Sequence, residues 1–90
     1  MAKYVTITER DLTSIVRSSS FGSSMERGLV EYALAIVLKD RRSGGKVELG
    51  YFEDALKDLG RNLVGGGALG RVMDKIEALY DEQQEELAAK

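Results

Sequence analysis

The chain has 90 residues, 13 Lys and Arg against 15 Asp and Glu, and contains no histidine, cysteine, tryptophan or proline. Its length supports a single domain over 1–90 that buries only about 60–65% of the surface its unfolded form exposes. The missing residue types remove histidine-assisted and cysteine-based catalysis, disulfides and the usual zinc ligands, so the expected function is not enzymatic and no cofactor or metal is expected.

Residues 3–7 alternate, with Val5 and Ile7 on one face and Tyr4 and Thr6 on the other, which predicts a short strand. Thr8 is placed to cap a helix over about 9–18, with Asp11 three positions on and Leu12, Ile15 and Val16 as its apolar stripe. The run Ser18-Ser19-Ser20-Phe21-Gly22-Ser23-Ser24 ends that helix, because serine and glycine favour turns and local side-chain hydrogen bonds. Ser23-x-x-Glu26 then has the form of a capping box and opens a helix to about Asp40. Every position from Leu29 to Leu38 except Glu31 is apolar, so this helix is expected to be covered on more than one side, by its own chain or by a second subunit.

Asp40-Arg41-Arg42-Ser43-Gly44-Gly45 reads as a turn. Phe52, Ala55, Leu56, Leu59 and Leu63 then recur at helical spacing over about 49–63, opposite Glu53, Asp54, Lys57 and Asp58. Val64 to Gly67 ends that helix, and a last one starts near Ala68 with Leu69, Val72, Met73, Ile76, Leu79 and Tyr80 inward. Asp81 to Glu86 holds four acids and no base, so 81–90 is expected to be a solvated acidic tail.

Charge is uneven along the chain: 1–45 carries a small basic excess and 46–90 a larger acidic one. That balance disfavours a general nucleic-acid binder, whose footprint is strongly basic. The longest strictly apolar run, Ala33 to Leu38, is far short of the roughly 20 residues that span a bilayer. With no secretory leader read at the N-terminus and no cysteine, a cytoplasmic protein that avoids membranes is expected.

Three local patterns invite a more specific reading. Asp40, with Gly45 at the sixth place, Val47 at the eighth and Glu48 at the ninth, resembles an EF-hand loop followed by its exiting helix. The third, fifth and twelfth places are Arg42, Gly44 and Tyr51, so the resemblance implies a helix–loop–helix without the oxygen ligands calcium needs. Gly65-Gly66-Gly67-Ala68-Leu69-Gly70 fits G-x-G-x-x-G, but a helix precedes it where the dinucleotide fingerprint needs a buried strand; a helix end and loop is the expected reading. Over residues 3–40 the order strand, helix, turn, helix resembles the ribbon–helix–helix DNA-binding proteins. That resemblance implies strand pairing between two chains, with Tyr4 and Thr6 facing the bases and Ser23 and Ser24 near phosphates, although no Arg, Lys, Asn or Gln stands on the outward face.

The expected fold is therefore mainly α, a compact bundle of about four helices with a short N-terminal strand. Function by elimination is binding: a protein partner engaged through an acidic helical surface bearing Glu48, Glu53, Asp54 and Asp58, with Arg41, Arg42 and Lys46 of the turn as the other candidate contacts. A homodimer is expected from the apolar central helix. In size and composition the chain resembles phage-encoded inhibitors of host machinery, which implies an inhibitor or adaptor; the alternative is a ribbon–helix–helix-like transcriptional regulator.

Overall fold

Six elements follow in chain order in the computed structural model, which describes residues 2–62, 64 and 66–89: β1 (Tyr4–Thr6), α1 (Glu9–Arg17), α2 (Ser24–Arg41), β2 (Lys46–Glu48), α3 (Leu49–Asn62) and α4 (Gly66–Ala88). Leu63 and Gly65, assigned above to an inward position and to the glycine cluster, lie outside the described residues.

Local chemistry accounts for most of the boundaries. The Thr8 hydroxyl accepts from the Asp11 amide at 3.1 Å while the Asp11 carboxylate accepts from the Thr8 amide at 2.9 Å, a complete capping box. At the start of α2 the Ser23 hydroxyl accepts from the Glu26 amide at 3.2 Å. Gly44 and Gly45 both have positive φ, 60° and 79°, and between them Ser43 and Lys46 exchange backbone hydrogen bonds of 2.9 and 3.1 Å. Positive φ at both central positions is the two-residue turn that matches strand twist, and glycine adopts it without a Cβ penalty.

That turn delivers β2 antiparallel to β1, with Tyr4 opposite Glu48, Val5 opposite Val47 and Thr6 opposite Lys46. Val5 and Val47 are buried while Tyr4, Thr6 and Lys46 face outward, as strand alternation requires. The EF-hand-like order of helix, loop and helix is thus present, and its eighth place, Val47, anchors the small sheet. Within this chain β1 pairs with β2, whereas the ribbon–helix–helix resemblance implies strand pairing between two chains.

Around this sheet α1 packs on α2, α2 on α3 and α3 on α4, and α4 closes back on β1 and α1. The core is drawn from every element: Val5 and Ile7, Leu12 and Val16, Val30, Leu34 and Leu38, Val47, Phe52 and Leu56, and Leu69, Val72 and Ile76 are all buried. Burying side chains of this size stabilises by about 1.5–3 kcal/mol each before conformational entropy is set against it.

Two expected features take a definite form. The central helix α2 buries Val30, Leu34 and Leu38 and half-buries Leu29, Ala33, Ala35 and Val37, but leaves Met25 75%, Tyr32 69% and Ile36 41% exposed. Its main neighbours, α1, α3 and β2, reach only part of its circumference. The acidic tail is solvent-exposed from 81 to 89 except at half-buried Gln83, and it continues α4 to Ala88 with Gln83 in contact with β1. The Gln83 carbonyl oxygen accepts from the Thr6 amide at 2.9 Å and its amide nitrogen donates to the Thr6 carbonyl at 2.7 Å. One carboxamide thereby satisfies both backbone groups that the outer edge of β1 presents at Thr6.

The serine-rich connection from α1 to α2 is held the same way. The hydroxyls of Ser18 and Ser19 donate to the Ile15 carbonyl at 3.0 and 2.9 Å, using up an acceptor that the end of α1 leaves open. From α4, Lys75 donates to the Ser18 carbonyl and hydroxyl at 2.7 and 2.8 Å, and the Arg71 guanidinium donates to the Ser20 carbonyl. Cations placed at a helix C-terminus are also favoured by the helix dipole.

Candidate functional site

The acids singled out from the sequence divide into two groups. Glu48 closes β2, and Glu53, Asp54 and Asp58 lie on the exposed side of α3. Helix α3 carries its own counter-charges: Lys57 meets Glu53 at 2.9 Å and Arg61 meets Asp58 at 3.4 Å. Hydrogen bonding to Glu53, reinforced by its charge, holds the Lys57 ammonium above the ordinary lysine pKa. Both pairs are solvent-exposed, so they blunt the negative face more than they stabilise the fold.

Glu48 and Glu53 come together with two carboxylates from α4, Glu77 and Asp81, around a cleft of about 280 Å³ whose walls also include Lys3, Leu49, Met73 and Tyr80. Asp54 and Asp58 stand outside it. Glu77 was not recognised from the sequence, although Met73, Glu77 and Asp81 recur at four-residue spacing and so share one face of α4. Lys3, the cation on this wall, sits over the Tyr80 ring with its ammonium 5.7 Å from the centroid. Four carboxylates against one ammonium leave the cleft anionic, yet among the described residues no three acids stand close enough together to hold a metal ion.

The cleft continues into a groove of about 440 Å³ between α3 and α4, the two sharing Glu53, Met73 and Glu77. Leu56, Leu69 and Met73 supply its apolar lining, with Gly60 and Gly70 beside them. At Gly60 a Cβ would lie 3.1 Å from the Leu69 Cδ1, so the absent side chain sets how closely α3 and α4 approach there.

The basic candidates gather at the other end of α2. Arg41 lies over the Tyr51 ring, 4.7 Å from its centroid, Arg42 ends the helix in an extended conformation, and Lys46 sits opposite Thr6 in the sheet. All three are exposed. A separate depression between α1 and α2 is lined by Leu12, Gly28, Glu31 and Tyr32. There the Glu31 Oε1 atom is buried without a hydrogen-bond partner, its ion-pair contact being Arg17 Nε at 4.0 Å.

Among the described residues no helix is long and apolar enough to cross a membrane. The architecture defines a class, a small four-helix bundle with a two-stranded antiparallel sheet. No protein family, curated protein or solved structure that was compared with the chain matches it.

Proposed function

We propose that the chain is a non-catalytic, cytoplasmic protein-binding module that presents the acidic face formed by α3 and α4 to a basic surface of a protein partner, acting as an inhibitor or adaptor by occupying that surface. The observation that carries this reading is the gathering of Glu48, Glu53, Glu77 and Asp81 from three elements around one cleft. Charges disposed in this way steer an oppositely charged partner and fix its orientation. The nucleic-acid alternative is disfavoured by the pairing of β1 with β2 within the chain and by Gln83, which holds both backbone groups of Thr6.

A second feature favours self-association. Met25, Tyr32 and Ile36 share one exposed side of α2, next to Gly28, where a Cβ would meet nothing within 4 Å. Two copies of this apolar stripe facing each other would form an isologous dimer.

The decisive experiment is charge reversal in the cleft. Glu48→Lys, Glu53→Lys and Glu77→Lys combined should leave the thermal melt close to wild type. Binding to the partner that copurifies from the native host should fall steeply, most of all at low salt. Undiminished affinity for that partner would refute the acidic-face reading.

A further inference from the structure

We infer that a second copy of this chain completes the depression between α1 and α2: the two α2 helices pack antiparallel, and Tyr32 of each copy enters the other's depression and donates its hydroxyl to the Glu31 carboxylate. This deepens the self-association reading and rests on it.

Among the described residues, three of the six large hydrophobic side chains left in solvent, Met25, Tyr32 and Ile36, lie on one face of this single helix. The same face carries a hole. Gly28, Glu31, Tyr32 and Ala35 stand at i, i+3, i+4 and i+7 around a depression of about 300 Å³, the spacing that receives one side chain of a facing helix. Gly28 keeps the hole open, since a Cβ there would meet nothing within 4 Å. Nothing in the chain's own packing calls for a glycine at that point, and glycine weakens a helix interior; close approach by another molecule gives it a use.

What enters the hole must bring a hydrogen-bond donor. The Glu31 Oε1 atom is buried without a hydrogen-bond partner, and Arg17 Nε stands 4.0 Å away, too far for one. A purely apolar side chain seated there would deepen that burial and leave the oxygen unsatisfied. A phenol is an apolar ring carrying one donor, and Tyr32, 69% exposed, presents it from the same face. Knob and hole therefore lie on one surface. A two-fold axis between the two Tyr32 side chains fills both holes at once, a contact that closes at two copies. The antiparallel sense follows from Lys39, exposed at the C-terminal end of the stripe. Parallel helices would set the two Lys39 ammonium groups side by side and align the helix dipoles; antiparallel ones separate the lysines and oppose the dipoles.

The test is sedimentation equilibrium on the full-length protein from about 1 µM to about 1 mM, where a reversible monomer–dimer equilibrium without larger species is expected. Tyr32→Phe keeps the ring and removes the donor, so it should weaken the dimer by about tenfold or more, two such bonds being lost per dimer. Gly28→Leu fills the hole, and it puts a better helix former where the Cβ meets open space, so it should keep the fold while weakening the dimer by about tenfold or more. Because the chain has no cysteine, Ser24→Cys and Lys39→Cys each introduce a single thiol. Both positions are exposed, and they lie about 22 Å apart along α2. A short bis-maleimide should join a mixture of the two variants into a heterodimer and leave either variant alone uncrosslinked.

A dimer indifferent to Tyr32→Phe, or to a folded Gly28→Leu variant, overturns the Tyr32–Glu31 contact while the self-association reading stands. Crosslinked homodimers from Ser24→Cys or Lys39→Cys alone would mean parallel helices and overturn it as well. A chain that stays monomeric at about 1 mM defeats both readings and leaves the stripe to a different partner.

Discussion

Helix α2 and the last two turns of α4 are opposites in composition, yet the fold neither buries the first completely nor leaves the second wholly free. The most apolar stretch of the chain leaves Tyr32 and Ile36 in solvent, while the most polar stretch, Asp81 to Glu86, is tied to the sheet through Gln83. Apolar content sets how much burial is available to a helix; the number of neighbours that reach it sets how much is realised. A polar segment is anchored when one side chain meets a backbone edge whose donor and acceptor need partners.

The sharpest way to break this comparison is within α2 itself. Leu34 is fully buried, so Leu34→Ala should cost about 2–5 kcal/mol in denaturant melts. Tyr32→Ala, two residues away on the exposed side, should change monomer stability by no more than about 0.5 kcal/mol. Equal costs would mean that solvent does not reach Tyr32, as in a constitutive dimer. Light scattering should then report twice the 9.9 kDa chain mass, and Tyr32→Ser with Ile36→Ser should return it to the monomer value.

Gln83→Ala removes both hydrogen bonds to Thr6 and should cost about 1–2 kcal/mol, with faster hydrogen exchange at the Thr6 amide. A melt indistinguishable from wild type would show that Gln83 does not anchor the end of α4. Lys75→Ala should cost less, about 0.5–1.5 kcal/mol, because its contacts with Ser18 lie at the surface. Lys57 should give the smallest effect. Its pKa is raised in the folded chain, so any stabilisation from the Glu53 pair is present at neutral pH and is lost as the pH rises through that raised value. Lys57→Ala should leave the neutral-pH melt unmoved, because the pair lies in solvent at the surface of α3.

Much of the fold was legible wherever the controlling contacts are local. The Thr8–Asp11 box, the Ser23 cap and the Gly44–Gly45 turn each involve residues within a few positions of one another, and each occurs where the sequence pattern places it. The inward stripes of α3 and α4 follow from helical spacing for the same reason. The candidate site was legible only in part. Glu48 and Glu53 were named from the acidic face of one helix, but Asp54 and Asp58 share that face and stand outside the cleft. Glu77 joins from a helix whose position against α3 no local pattern encodes.

Sequence by itself determined the helices, their caps, the tight turn, the alternation of β1 and the absence of the side chains most compact active sites use, because each of these depends on residue type or on spacing within one or two turns. Only the tertiary structure decided that β1 pairs with β2 across some forty residues, that Lys75 and Arg71 hold the serine-rich turn, that Gln83 bonds β1 at Thr6, and that carboxylates from β2, α3 and α4 face one cleft. Those contacts join elements far apart in the chain, where the free energy of closing the loop is met by burial of the whole core, and no single pattern of neighbouring residues carries that information.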